Sequence, residues 1–262
     1  MRFMQCLLGA LCVAIFAGSA SAEEVVKLKL RDNVVLRMLV DAPADAKAVT
    51  LLFPGGHGKV NIKDDGTFAG LKGNFLVRTR GMFAANGIVA VVFDAPSDHK
   101  SGDGLTYQYR MSEEHAGDIK AAIAKLRGMY PKLPIWLVGT SRGSTSAANA
   151  ASNIKEGIAD GVVLTSSVGV ATKHGGNVLD FKLTGIKMPA LVVHHQEDEC
   201  KVTPVTGARD IMAALTGAKA SELIVVTGGD RKGDPCGGSS HHGYLGIEKT
   251  VVDAIANWIK SH

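Results

Sequence analysis

This sequence has few aromatic residues, no block of like charge and no apolar run long enough to span a membrane. Each scarcity removes a class of function. Aromatics make up 5% of the chain, too few to suggest platforms for stacking nucleic-acid bases. The formal charge of +4 is dispersed, so nothing points to a polyanionic partner or a lipid surface. Repeats, low-complexity tracts and Pro/Gly-rich linkers are absent, and 262 residues suit one α/β domain better than two. No CxxC or HExxH pair supports a metal site, although His194, His195, His241 and His242 make zinc the rival reading for this part of the chain.

Residues 1–22 read as a cleavable export signal. Arg2 supplies a basic start, Phe3 to Ala17 an apolar segment too short for a stable anchor, and Ala20-Ser21-Ala22 the small residues that a signal peptidase needs. Leu11 before Cys12 argues against a lipid-anchored cysteine. A periplasmic or secreted bacterial protein is expected, with residues 23–262 as its single domain. Of the four cysteines, only Cys200 and Cys236 then remain, and in an oxidising compartment they are expected to form one disulfide.

Two alternating segments, Val25 to Leu30 and Val34 to Val40, flank Arg31-Asp32-Asn33 and predict an edge hairpin. Near-continuous apolar runs follow at Ala48 to Phe53, Ile88 to Phe93, Ile135 to Val138, Gly161 to Thr165, Ala190 to His194 and Leu223 to Thr227. Such runs suit strands covered on both faces. Helical patterns fall between them, at Gly73 to Asn86, from the Ser112 cap to Tyr130, at 142–153, at Pro204 to Leu215 and at Ile247 to Lys260. The expected fold is a doubly wound, mostly parallel eight-stranded α/β sheet with helices on both faces. Only about 20 residues separate the strands near 165 and 190, so no large cap domain fits there.

Gly139-Thr140-Ser141-Arg142-Gly143 reads G-x-S-x-G, between the strand at 135 and a helix opening near Arg142. A sharp strand-to-helix turn would push the Ser141 hydroxyl out of the sheet, and the helix N-terminus would favour negative charge there. The alternative is a glycine-rich turn with a capping serine.

With Phe53-Pro54-Gly55-Gly56-His57-Gly58, His194 to Asp198 and His242-Gly243-Tyr244, these residues follow in the order serine, acid, histidine. On them the chain resembles the α/β-hydrolase superfamily, and within it the small capless esterases and dienelactone-hydrolase-like members. Position 141 is serine where dienelactone hydrolase has cysteine. The resemblance implies Ser141 as nucleophile, Asp198 as acid and His242 as base. Glu197 and Glu199 remain alternative acids, and His241 an alternative base. It also implies an oxyanion hole from the backbone N–H groups of Arg142 and Gly56, with Gly55 second. A Cys200–Cys236 bridge would join the acid loop to the base loop. His99 and His115 read as surface or helix positions. Lys59 to Lys72 and Ala95 to Tyr109 read as rim loops, with Tyr107, Tyr109 and Arg110 as candidate substrate contacts whose simpler reading is surface loop. The implied function is hydrolysis of an ester or similar acyl bond in a small molecule, with no cofactor and no metal. An exported, non-catalytic binding protein and an acyltransferase are the alternatives.

Overall fold

A computed structural model of the protein describes residues 23–171 and 175–262. The expected export signal lies outside the described residues. Eight strands form one sheet in the order β1-β2-β4-β3-β5-β6-β7-β8. Strands β1 (Glu23–Lys29) and β2 (Val35–Asp41) make the edge hairpin. Asn33 takes the left-handed conformation its turn requires, one that asparagine tolerates better than most residues. Strand β2 runs antiparallel to β4 (Ile88–Phe93). The remaining pairings, through β3 (Ala48–Phe53), β5 (Ile135–Thr140), β6 (Gly161–Thr165), β7 (Ala190–His195) and β8 (Ser221–Val226), are all parallel.

The apolar runs are continuous because both faces of the sheet are covered. Successive side chains on a strand point to opposite faces. Leu51, Leu137 and Val192 pack with Ile119, Ala147 and Ile211 of α4 (Glu113–Met129), α5 (Arg142–Asn153) and α6 (Val205–Ala214). Their neighbours Leu52, Val138 and Val193 pack on the other face with Phe75, Phe83 and Ile255 of α1 (Phe75–Arg78), α2 (Arg80–Ala85) and α7 (Glu248–Ser261). Among the described residues, no helix is long and apolar enough to cross a membrane.

Three local expectations change. The helix expected over 73–86 is divided at Thr79, whose N–H and hydroxyl both bond back to the Phe75 carbonyl, at 3.1 and 2.7 Å, back-bonding that bends a helix. Strand β8 is half-buried rather than enclosed, because it pairs only with β7 at the sheet edge. The stretch read as exposed rim folds into a short helix, α3 (Tyr107–Arg110), capped by Thr106. Tyr107, Tyr109 and Arg110 are 4%, 7% and 1% exposed, so none is a surface position. His115, on α4, is buried as well.

The carboxyl ends of the parallel strands share one edge, where open α/β sheets offer a crevice for ligands. Helix α5 reaches that edge only because residue 143 has no side chain. A Cβ on Gly143 would stand 1.9 Å from the Phe53 carbonyl oxygen, and one on Gly139 would stand 2.3 Å from the Gly143 oxygen. Gly143→Ala is therefore expected to destabilise the protein by about 1–3 kcal/mol through overpacking. Thermal unfolding measures this, and an unchanged midpoint would contradict the close approach.

Candidate active site

Ser141 sits between β5 and α5 at φ 52° and ψ −128°, a conformation that an L-residue adopts only under constraint. The constraint is supplied on both sides. Its N–H bonds to the Thr165 carbonyl at the end of β6, at 3.1 Å. Its carbonyl receives the Ser144 N–H at 2.9 Å and the Ser144 hydroxyl at 2.6 Å. The side chain is partly exposed at the helix N-terminus.

Asp198 and His242 come together from two loops. The Asp198 carboxylate is fully buried, and His242 Nδ1 lies 2.9 Å from its Oδ2. The Thr203 hydroxyl donates to the same oxygen at 2.9 Å and stands 3.0 Å from Nδ1. The Cys200 N–H holds Oδ1 at 2.9 Å. Buried His194 lies 3.5 Å from Oδ2 and 2.8 Å from the Thr203 carbonyl. Burial works to raise the Asp198 pKa, but donation from His194, His242 and the Cys200 N–H outweighs it. The carboxyl is held well below the usual carboxylate range, so Asp198 is charged at neutral pH.

The neighbouring candidates do other things. Glu199 pairs with Arg231 at the surface. His241 stacks on His195 with centroids 4.2 Å apart and lies 3.1 Å from the Glu197 carbonyl through Nδ1. Glu197 contributes the third side chain of this His195–Glu197–His241 cluster. The two imidazole planes are only 8° from parallel, so their in-plane lone pairs do not converge on one ion. His195 Nδ1 also receives the Glu197 N–H, at 3.0 Å.

Ser141 and His242 are anchored to consecutive residues. Thr165 holds the Ser141 N–H, while the Ser166 hydroxyl holds the His242 carbonyl at 2.8 Å. The Tyr244 hydroxyl accepts the Ser166 N–H at 3.1 Å and donates to the Val193 carbonyl at 2.9 Å. The Cys200–Cys236 disulfide joins the two loops. Sequence reasoning missed Thr203 and Ser166 and offered His194 only as a possible metal ligand, because long-range hydrogen bonds leave no spacing signal.

The loop after β3 lies against Ser141. A Cβ on Gly55 would meet Ser141 Cβ at 2.8 Å, and Gly56 has φ 58°. The Arg142 N–H, first in its helix, has no intrahelical acceptor. Farther along the loop, the Asp94 carboxylate gathers the N–H groups of Val60, Asn61 and Ile62 at 2.8–3.0 Å and pairs with Lys100. Around Ser141 opens a cleft of about 1070 Å³, lined by Gly56, His57, Lys59, Tyr107, Arg142 and the disulfide among others. The Arg142 guanidinium lies over the Tyr107 ring, 4.8 Å from its centroid. Burial, with Lys59, Arg110 and Arg142 nearby, lowers the His57 pKa.

No protein-family model and no curated protein matches the sequence. Solved structures do match. An esterase of Pyrococcus furiosus superposes with a TM-score of 0.65 at 16% identity, over 92% of this chain and 93% of its own. Dienelactone hydrolase from Anabaena variabilis gives 0.65 at 15% identity, over 93% and 99%. A cold-adapted esterase from an Arctic intertidal metagenomic library gives 0.62 at 14% identity, over 91% and 94%. At these identities the likeness is one of fold.

Two outcomes follow for the loops that carry Asp198 and His242. Replacing both Cys200 and Cys236 by Ser releases a loop of sequence separation 36 and is expected to cost about 3–4 kcal/mol. Denaturant unfolding tests this, and a loss below about 1 kcal/mol would contradict a stapling role. Because the folded-state pKa of Asp198 is depressed, its stabilisation is complete above the unfolded value near 3.8 and is lost as pH falls through the folded value. Asp198→Asn should therefore flatten the fall in stability below about pH 4, and an unaltered acid limb would contradict this.

Proposed function

From the premise that this chain has the α/β-hydrolase fold, we propose that it is an exported serine hydrolase acting on an ester or similar acyl bond of a small molecule. The observation that carries the reading is the constrained Ser141 turn, at the sheet edge that also bears the buried Asp198–His242 pair. A serine hydroxyl becomes a useful nucleophile only when a base removes its proton. His242 fills that role, because the Asp198 bond to Nδ1 leaves Nε2 as the proton acceptor. The serine–histidine hydrogen bond is often loose before substrate binds and tightens in the complex.

In the first step Ser141 Oγ attacks the acyl carbon, and its proton passes to His242 Nε2. Charge develops on the former carbonyl oxygen. The N–H groups of Arg142 and Gly56 receive it, fixed in advance so that no reorganisation is needed. The imidazolium is steadied by the ionised Asp198, then gives its proton to the departing alcohol. Water repeats the sequence on the acyl-enzyme and releases the acid. The chemistry of this donor set needs no metal or organic cofactor. The disulfide supports an exported location.

A fluorophosphonate probe should label the wild-type protein and fail to label Ser141→Ala. The same variant should lose turnover of short-chain p-nitrophenyl esters by a factor on the order of 10⁴–10⁶. Absent labelling and turnover in the wild type would favour a binding protein. Acyl product diverted to an added alcohol would favour an acyltransferase.

A further inference from the structure

Arg110 was not expected to have a role inside the protein, yet it is among the largest fully buried side chains. Its guanidinium is used on three elements. Nη1 donates to Ser146 Oγ on α5 at 2.7 Å, and Nε donates to the Leu105 carbonyl at 3.3 Å. Nη2 donates to the Pro54 carbonyl at 3.0 Å and the Gly56 carbonyl at 3.5 Å. The Arg110 carbonyl in turn accepts from Asn149 of α5 at 2.9 Å. No carboxylate pairs with the guanidinium among the described residues. Burial, with the charge of Arg142 nearby, pushes its pKa down to about 9.

A buried charge without a counter-ion is a poor way to fill space, since an apolar side chain of similar volume is often at least as stabilising. What only arginine supplies is a planar fork of donors that reaches several acceptors at once. Three of the four acceptors here, Ser146 Oγ and the Pro54 and Gly56 carbonyls, belong to the two elements that flank the nucleophile. The Pro54 and Gly56 carbonyls bracket the Gly55–Gly56 peptide. The carbonyl of that peptide accepts the Gly58 N–H at 3.2 Å. With no cis bond among the described residues, the direction of the Gly56 N–H is then fixed opposite to its carbonyl partner. Ser146 lies on the helix whose first N–H belongs to Arg142.

We propose that Arg110 is a positioning residue that sets the distance and direction between the two oxyanion donors, Gly56 N–H and Arg142 N–H. This rests on the serine-hydrolase reading and adds to it the residue that holds the loop and the helix in register. The guanidinium touches no reacting atom. It acts through the backbone of residues 54–56 and through α5.

The test compares the wild type with Arg110→Met, Arg110→Lys and Ser146→Ala, using a p-nitrophenyl ester and its thiono analogue. A misplacement on the scale of 1 Å is enough for a loss of about 10²-fold. In Arg110→Met, kcat for the oxo ester should fall about 10- to 100-fold with KM within about threefold. The preference for the oxo ester over the thiono ester should shrink in parallel, because sulfur makes little use of a well-aligned oxyanion hole. Lysine, with one head and no fork, should not restore it. Ser146→Ala should move both quantities the same way by a smaller factor, and it carries the test if Arg110→Met does not fold. Folded variants with an unchanged oxo/thiono preference would overturn this inference alone. A wild type that neither turns over nor reacts with fluorophosphonate would overturn the hydrolase reading and this inference with it.

Discussion

A serine backbone held at positive φ is the constraint around which this molecule is arranged. Left alone, Ser141 would relax towards an ordinary conformation, and its side chain would leave the cleft. It is kept in place by bonds to Thr165 and Ser144, and by two glycines that let α5 press against β3 and β5. Those contacts need a parallel sheet whose strands end together. The sheet in turn needs helices on both faces to bury its apolar strands. The strain at one residue is thus supported by the packing of the whole domain, as expected where backbone strain serves chemistry.

Around that turn, Asp198 and His242 are secured by partners from their own loops and from the strand ends. Asp198 is gripped by the Cys200 N–H and the Thr203 hydroxyl. His242 is gripped at its ring by Asp198 and at its carbonyl by Ser166. Tyr244 bridges the ends of β6 and β7. The loops are further joined by the disulfide and by the stacked pair His195–His241. Rigidity of this kind suits a site that works by preorganised donors, because the cost of ordering them is met during folding and not during reaction.

Parts of this arrangement were legible before any coordinates. The buried strands could be read because their side chains are apolar on both faces, and the hairpin because its residues alternate. The turn at Ser141 was legible as a strand, a glycine-flanked serine and a helix in succession. Residues whose roles depend on distant partners were not legible. Nothing local distinguishes Thr203 from any other threonine, although it touches both Asp198 and His242. Arg110 lies in a polar stretch that looks like solvent-facing loop, and only the fold shows that the loop passes under residues 54–56. The split at Thr79 was not legible because the apolar period continues across it.

The central claim is that Ser141, His242 and the two backbone donors act on one acyl group. A crystal structure of the protein after reaction with a small phosphonate ester measures all four at once. The account predicts phosphorus bonded to Ser141 Oγ and His242 Nε2 within hydrogen-bond distance of an adduct oxygen. It also predicts the phosphonyl oxygen between the N–H groups of Arg142 and Gly56. An adduct on another residue, or an adduct on Ser141 with His242 out of reach, would contradict it.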